Sequence, residues 1–224
     1  MSDVTITPDS TAVLITDPQV DFLKPESVVW DEIEGTVEDN EVVDRLVTLR
    51  DAAREGDVPV FYSPHYYEDD EFESWQHLNT IDEMMFDARM FDVEGEGAAF
   101  VPELEPDDNT FVLSPHKQLS GFWSNDVNTQ LRQRGVDTIV LAGMSGNLCV
   151  ESHLRDAVEN GYETIAVTDA TAAAGEEALE AARTNFEFIA HETATVDEVA
   201  DRLAAASSEA SAVEADGGAA DHED

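Results

Sequence analysis

Residues 138–169, "TIVLAGMSGNLCVESHLRDAVENGYETIAVTD", indicate the fold of this chain. The stretch begins with "TIVLAG" and ends with "TIAVTD", two nearly continuous apolar runs typical of parallel strands buried on both faces. Between the runs, Val150, Leu154, Ala157 and Val158 share one face of a helix. Strand, helix and strand in this order predict a βαβ unit with a right-handed crossover.

The same alternation of strand and helix extends along most of the chain. Strands are expected at 11–17, 58–63, 110–115, 138–143, 164–169 and 186–191. Strands that alternate with amphipathic helices predict an α/β fold, in which helices cover both faces of a mainly parallel six-stranded sheet.

Residues 1–205 are expected to form one domain, and residues 64–109 interrupt its alternation of strands and helices. This segment is too long for a simple connection and mixes apolar anchors with acids, so short helices are expected that serve as a lid or an oligomer contact. A solvated insertion is the alternative. The acidic, Gly- and Ala-rich residues 206–224 are predicted to be a disordered tail.

The charge balance excludes several classes of partner. Asp and Glu number 51 against 11 Lys and Arg, giving a net charge of −40, which repels nucleic acid and anionic membranes. Such a surface suggests a halophile protein that folds in molar salt. No apolar run reaches the roughly 20 residues of a membrane span, and the N-terminus lacks the features of a secretory signal. A cytoplasmic location is therefore expected.

The single cysteine, Cys149, is the first candidate nucleophile. It excludes an intramolecular disulfide and a multi-cysteine zinc site, and a buried inert thiol is its simplest explanation. However, Cys149 follows a strand and a Gly-containing turn at the start of a predicted helix. Unpaired N–H groups there stabilise a thiolate and can also hold an oxyanion.

Asp17 and Lys117 are predicted at neighbouring strand ends, where open parallel sheets bind their ligands. Lys117 is one of only two lysines, and its ammonium would depress a thiol pKa. Asp17 would accept the thiol proton and return it to a leaving amine. A solvated lysine and a turn-forming aspartate are the structural alternatives.

The remaining candidates give weaker signals. Residues near the strand ends that are expected to line a substrate pocket are Phe22, His65, Tyr66 and Phe122. His153, four residues after Cys149, is expected to be a satisfied histidine rather than half of a Cys–His dyad. His65 and His77 without a spaced acid make a poor zinc signal, so no metal and no cofactor are expected. Anchors that make a homo-oligomer plausible are Trp75, Met84, Met85 and Trp123.

Three motifs together resemble the isochorismatase-like cysteine hydrolases. "TDPQVDF" resembles their D-x-Q-x-D-F opening, and "SPHKQLSGFWSND" resembles their lysine segment, K-x-x-x-S-x-F. "LAGMSGNLCVESHLRDA" resembles their nucleophile segment. The similarity covers roughly residues 10–200.

The resemblance implies a Rossmann-like three-layer sandwich and a triad of Asp17, Lys117 and Cys149. It also implies a cis peptide at Met144–Ser145 and an oxyanion hole formed by the amides of Ser145 and Cys149. The implied reaction is hydrolysis of a small amide through a thioester. The substrate would be a small molecule.

Two alternatives within the resemblance remain open, and a third lies outside it. Nicotinamidases of this group hold a metal with an Asp-x-His after the second strand, where this chain has Ser63 in place of the Asp. Isochorismatases cleave a vinyl ether and often lack the cysteine, so Cys149 favours C–N cleavage. A non-catalytic scaffold on the same fold is the third hypothesis.

Overall fold

A computed structural model describes residues 4–217, with side-chain surroundings through residue 208. These residues contain a six-stranded, fully parallel sheet with the order β3-β2-β1-β4-β5-β6. The strands are β1 (Thr11–Thr16), β2 (Val60–Ser63), β3 (Thr110–Val112), β4 (Thr138–Gly143), β5 (Glu163–Thr171) and β6 (Glu192–Ala194). The predicted α/β class is confirmed.

Helices cover both faces of the sheet. They are α1 (Val20–Leu23), α2 (Trp30–Asp39), α3 (Val42–Glu55), α4 (Asp69–Ser74), α5 (Thr80–Asp87), α6 (Gly121–Ser124), α7 (Val127–Gln133), α8 (Glu151–Glu159), α9 (Glu176–Ile189) and α10 (Val196–Gly217). Two 3-10 turns, Glu96–Ala98 and Pro102–Leu104, and a π-helical turn, Gly146–Val150, complete the assignment.

The alternation of side chains along β1 supplies both halves of the core. Val13 and Ile15 belong to the cluster that includes residues of α3 and α10, whereas Ala12 and Leu14 belong to the cluster that includes residues of α7, α8 and α9. All four side chains are fully buried. A strand buried on both faces explains why its sequence is apolar throughout rather than alternating.

The sixth strand was misplaced by the sequence pattern. Residues 186–189 form the last turn of α9, and β6 begins at Glu192. Leu179, Ala182 and Phe186 bury one face of α9 at helical spacing, while Phe188 is 86% exposed. The aromatic run therefore completes a helix, because its apolar residues continue a period near 3.6 rather than 2.

The two irregular segments differ from each other. Residues 64–109 contain the short helices α4 and α5 and both 3-10 turns. Helix α10 continues to Gly217, so the first part of the predicted disordered tail, 206–217, is helical. Residues 218–224 lie outside the described residues.

The topology brings the ends of β1 and β4 together at the centre of the sheet. The chain adds β2 and β3 on one side of β1, then crosses back to place β4 on the other side. Ligands bind at such a switch point, outside the carboxyl ends of the strands. Gly143 closes β4 with φ +113°, and a Cβ there would lie 2.1 Å from the carbonyl oxygen of Thr16. Glycine alone permits this approach.

Within residues 4–217, none of the helices combines the length and the hydropathy that crossing a membrane requires.

Candidate active site

Cys149 lies in the π-helical turn that follows β4 and precedes α8, and its side chain is buried. Burial, and next the neighbouring Asp17, raise the pKa of the thiol well above its ordinary value. Backbone hydrogen bonds from Ser145 and Cys149 oppose this increase in the pKa. The Met144–Ser145 peptide is cis, as predicted. The sulfur is therefore a neutral thiol that needs a proton acceptor, with two backbone donors beside it.

Asp17 provides a carboxylate at the end of β1. Its backbone has φ +48°, an uncommon conformation for a residue other than glycine, and it is fully buried. Strained backbone of this kind concentrates at functional sites. Oδ1 lies 2.8 Å from Nε2 of His116, whereas Oδ2 has no hydrogen-bond partner among the described residues. One carboxylate oxygen is thus held, and the other is free to accept a proton.

The partner of Asp17 is His116, and Lys117 does not take this place. The ammonium of Lys117 donates to the carbonyl of Tyr66 at 2.7 Å and to Glu71 at 2.5 Å. It therefore points toward α4, and the structure does not place Lys117 beside Asp17, where the predicted triad would have it. The sequence contained this signal. In the motif K-x-x-x-S the lysine lies four residues before the serine, and the residue four positions before Ser120 is His116.

The contacts of His116 fix where its protons lie. Nδ1 is 2.9 Å from the carbonyl oxygen of Gln118 and must donate, because a carbonyl only accepts. Nε2 faces a carboxylate oxygen, which in its ionised form also only accepts. One proton must therefore lie between Nε2 and Asp17 Oδ1. Asp17 and His116 form a hydrogen-bonded pair that can hold and release a proton.

His65 completes a cluster of four buried side chains. One ligand atom each from Asp17, His65, His116 and Cys149 lies within 4.8 Å of all the others. Burial, followed by the charges of His116 and Lys117, lowers the pKa of His65 well below its ordinary value. The imidazole of His65 is therefore neutral, and within the part of the chain that the structure describes neither of its nitrogens has a hydrogen-bond partner.

Gln19 and Asp21 support the cluster, a role that their sequence pattern did not predict. The Gln19 amide accepts from the backbone N–H of His65 at 2.8 Å and donates to the carbonyls of His65 and Ala98 at 3.0 and 2.7 Å. Asp21 accepts from the backbone N–H of Phe91 at 2.6 Å. The spacing Asp17-x-Gln19-x-Asp21 thus ties the end of β1 to the segment 64–109.

His153 is a satisfied buried histidine, as expected. Its Nδ1 donates to the carbonyl oxygen of Cys149 at 2.8 Å, and its Nε2 accepts from the N–H of Gly121 at 3.0 Å. Burial is the main cause that lowers its pKa to about 3. His153 therefore braces the turn that carries the thiol, and its ring nitrogens are not available to the sulfur.

An apolar cavity of about 90 Å³ opens beside the thiol. Its lining includes the thiol and side chains from α2 and the segment 64–109: Phe22, Val29, Glu32, Ile33, His65, Ile81, Met84, Met85, Met90, Leu119, Ser145, Asn147, Leu148, Cys149 and Ala174. Glu32 is the sole charged side chain among these residues, since His65 is neutral. A cavity of this character suits a small, largely apolar molecule.

The residues predicted for the pocket divide into two pairs. Phe22 and His65 line the cavity, whereas Tyr66 and Phe122 are absent from its lining. Tyr66 contributes its carbonyl to Lys117, and Phe122 packs against Tyr162 behind the site.

The predicted oligomer anchors also divide. Trp75 packs edge-on against Tyr67, and Met84 and Met85 line the cavity, whereas Trp123 is 85% exposed. Trp123 alone among the four is available to a second copy.

A metal site of the nicotinamidase kind does not fit this chain. Its Asp-x-His is replaced by Ser63-Pro64-His65. The hydroxyl of Ser63 accepts from Asn125 at 3.1 Å and contacts His153 at 3.2 Å. Ser63 supplies no carboxylate, and its oxygen is already engaged.

A buried cysteine with an aspartate beside it, at the switch point of a parallel sheet, is an arrangement that can support hydrolysis. The family comparison agrees with this class. The Isochorismatase domain model matches residues 11–201, and the chain belongs to this family.

Individual relatives match a smaller part of the chain than the family model does. The isochorismatase family protein YwoC of Bacillus subtilis is 39% identical over 90 residues, which are 40% of this chain and 47% of YwoC. The ureidoacrylate amidohydrolase RutB of Methylorubrum extorquens is 31% identical over 150 residues, which are 62% of this chain and 60% of RutB. These matches therefore span about half of each relative.

Solved structures agree on the fold. A cysteine hydrolase from Pseudomonas syringae superposes with a TM-score of 0.77 and 27% identity, covering 92% of this chain and all of that one. The N-carbamoylsarcosine amidase of Thermoplasma acidophilum superposes with a TM-score of 0.64 at 23% identity, covering 84% and 97% of the two chains.

Proposed function

We propose that this chain is a cysteine-dependent hydrolase that cleaves the C–N bond of a small, uncharged amide through a thioester. The observation that carries the proposal is the proximity of the Cys149 thiol, which lines an apolar cavity, to the Asp17–His116 pair, with backbone hydrogen bonds from Ser145 and Cys149 beside the sulfur. The relative RutB, named as a ureidoacrylate amidohydrolase, supports the reaction class.

The first half of the reaction follows from the protonation of the free site. Cys149 is a neutral thiol, so attack on the amide carbonyl requires transfer of its proton to the free oxygen of Asp17. The sulfur forms a bond to the carbonyl carbon, and the N–H groups of Ser145 and Cys149 stabilise the oxyanion. The pair then donates a proton to the amide nitrogen, the C–N bond breaks, and ammonia or an amine leaves.

The second half releases the acid. Water gives a proton to the pair as its oxygen attacks the thioester carbon, and the C–S bond breaks. The thiolate recovers its proton from the pair, which restores the starting site. In this scheme His116 positions Asp17 and holds one proton of the pair, the place that the resemblance assigned to a lysine.

The cavity lining indicates the class of substrate. Arg and Lys are absent from the residues that line it, and the exposed Glu32 repels anions. A substrate with a carboxylate, such as a ureidoacrylate, would bring an unpaired negative charge into an apolar cavity. An aliphatic or aromatic primary amide can pack against the methionine and leucine side chains that line the cavity.

A panel of small amides, tested in molar KCl, decides the proposal. Cys149→Ser should abolish turnover, whereas Ser152→Ala, a matched change on α8, should leave it unchanged. Mass spectrometry after a rapid quench should show an acyl adduct on Cys149, which hydroxylamine converts to a hydroxamate. Turnover that survives in Cys149→Ser contradicts the mechanism, and turnover of isochorismate alone replaces amide with vinyl ether cleavage.

The pH profile tests the role of His116. His116→Gln keeps a hydrogen bond to Asp17 but cannot carry the shared proton, so kcat should fall roughly 10²–10⁴-fold, the usual contribution of general acid–base catalysis. His116→Lys should recover part of the rate with a shifted pH profile. If Gln and Lys give equal rates at every pH, His116 has only a structural role.

A further inference from the structure

The four-residue cluster has unused bonding capacity. Asp17, His65, His116 and Cys149 are at most 2% exposed, and one ligand atom from each lies within 4.8 Å of the other three. In the structure of residues 4–217, both ring nitrogens of His65 and Oδ2 of Asp17 lack a hydrogen-bond partner. Buried polar groups without a partner are rare in native proteins, and a bound ion or water often satisfies those that occur.

The ring of His65 is held in place by its neighbours rather than by polar contacts. It stacks on Phe91 with ring centroids 4.8 Å apart and planes 2° apart, and it packs against Tyr67 at 4.8 Å. Gln19 holds both its backbone N–H and its carbonyl. An imidazole fixed in this way presents a free nitrogen at no further ordering cost.

His116 has the outer contact that metal-bound histidines show. Nδ1 donates to the carbonyl of Gln118, which directs the Nε2 lone pair inward whenever the shared proton is lost. A histidine ligand almost always donates its second nitrogen to a carbonyl or carboxylate in this manner.

The donor set selects a class of metal. Two neutral imidazoles, one thiolate and one carboxylate carry a charge of −2, which a divalent ion neutralises in a buried site. Nitrogen and sulfur donors favour Zn²⁺ and Co²⁺ over Mg²⁺ and Ca²⁺. Tetrahedral Zn²⁺ keeps its donors about 3.3–3.7 Å apart, so the longest separation must shorten by about 1 Å.

We propose that Asp17, His65, His116 and Cys149 bind one Zn²⁺ ion, and that this ion blocks the thiol. Binding forms the Zn–S bond and releases the thiol proton to solvent, together with the proton shared by Asp17 and His116. The sulfur and Asp17 are then both occupied. The metal site stands on the geometry of the cluster, whereas the block rests on the proposed hydrolase function.

Cobalt spectroscopy tests the site without reference to activity. Protein stripped with a chelator should bind one equivalent of Co²⁺ in molar KCl, giving intense visible d–d bands and a near-ultraviolet thiolate-to-cobalt band that Zn²⁺ abolishes. Cys149→Ser should lose the thiolate band. His65→Ala should weaken binding by at least about 10–100-fold, the range seen when even an outer-shell partner is lost.

Matched variants and an activity arm separate the outcomes. The surface change His77→Gln should leave the cobalt spectrum and stoichiometry unchanged. A spectrum without a thiolate band, or wild-type affinity in His65→Ala, overturns the metal site.

If amides are cleaved, one equivalent of Zn²⁺ should abolish turnover and a chelator should restore it. Full turnover with zinc bound overturns the proposal that the ion blocks the thiol. A normal cobalt titration without turnover of any amide counts against the hydrolase and leaves the metal site standing.

Discussion

Replacing Gln19 by leucine should strongly destabilise the protein solely because buried hydrogen bonds are lost. Gln19 is fully buried, and its amide makes three hydrogen bonds of 2.7, 2.8 and 3.0 Å to backbone groups of His65 and Ala98. Leucine nearly preserves the volume and leaves one N–H and two carbonyls without a partner.

The magnitude follows from these three groups. Each buried polar group left unsatisfied costs about 1–3 kcal/mol. Their sum is about 3–9 kcal/mol, and the roughly 1.5–3 kcal/mol gained by burying a leucine side chain reduces it to a loss of about 1–6 kcal/mol in the free energy of unfolding. That loss is a large fraction of the roughly 5–15 kcal/mol by which a domain is stable.

Urea denaturation in molar KCl measures the effect. The exposed Gln76→Leu is the matched control and should change the free energy of unfolding by no more than about 0.5 kcal/mol. If Gln19→Leu unfolds at the same urea concentration as Gln76→Leu, the Gln19 contacts do not hold the segment 64–109 to β1, and the reasoning is wrong.

Four further predictions concern pH, backbone, salt and assembly. The pKa of His153 is lowered to about 3 from 6.5, so its ring stays neutral in the folded state, and the stability present above pH 6.5 is lost as the unfolded chain gains a proton. Between pH 8 and 5 the wild type should therefore lose about 2 kcal/mol of unfolding free energy relative to His153→Gln in urea melts. An unchanged difference between the two proteins contradicts this. Gly143→Ala should cost more than about 4 kcal/mol because of its clash with Thr16; a wild-type urea midpoint argues against it. With a net charge of −40, the thermal midpoint should rise steeply from low to molar KCl, and a flat profile would remove the halophile hypothesis. Light scattering in molar KCl should show a homo-oligomer that Trp123→Ala weakens; a monomeric wild type refutes this.

Local patterns predicted the elements well where one physical cause dominated. Apolar runs such as "TIVLAG" are strands because they are buried on both faces, and β4 has the predicted bounds. The pattern failed at residues 186–191, where a short apolar run fits either period and the packing of Phe186 decided for a helix. It also failed to anticipate the continuation of α10 beyond residue 205.

The sequence by itself determined the parallel α/β fold, the charge and the positions of Asp17 and Cys149 at strand ends, because apolar runs and helical spacing are local patterns and net charge is a sum over the composition. Only the tertiary structure decided that His116 and not Lys117 faces Asp17. Adjacent residues after a strand point in different directions, and the loop geometry that chooses between them depends on packing against distant segments. The same holds for His65, whose unsatisfied ring joins the other three side chains only when the ends of β1, β2, β3 and β4 meet at one edge of the sheet.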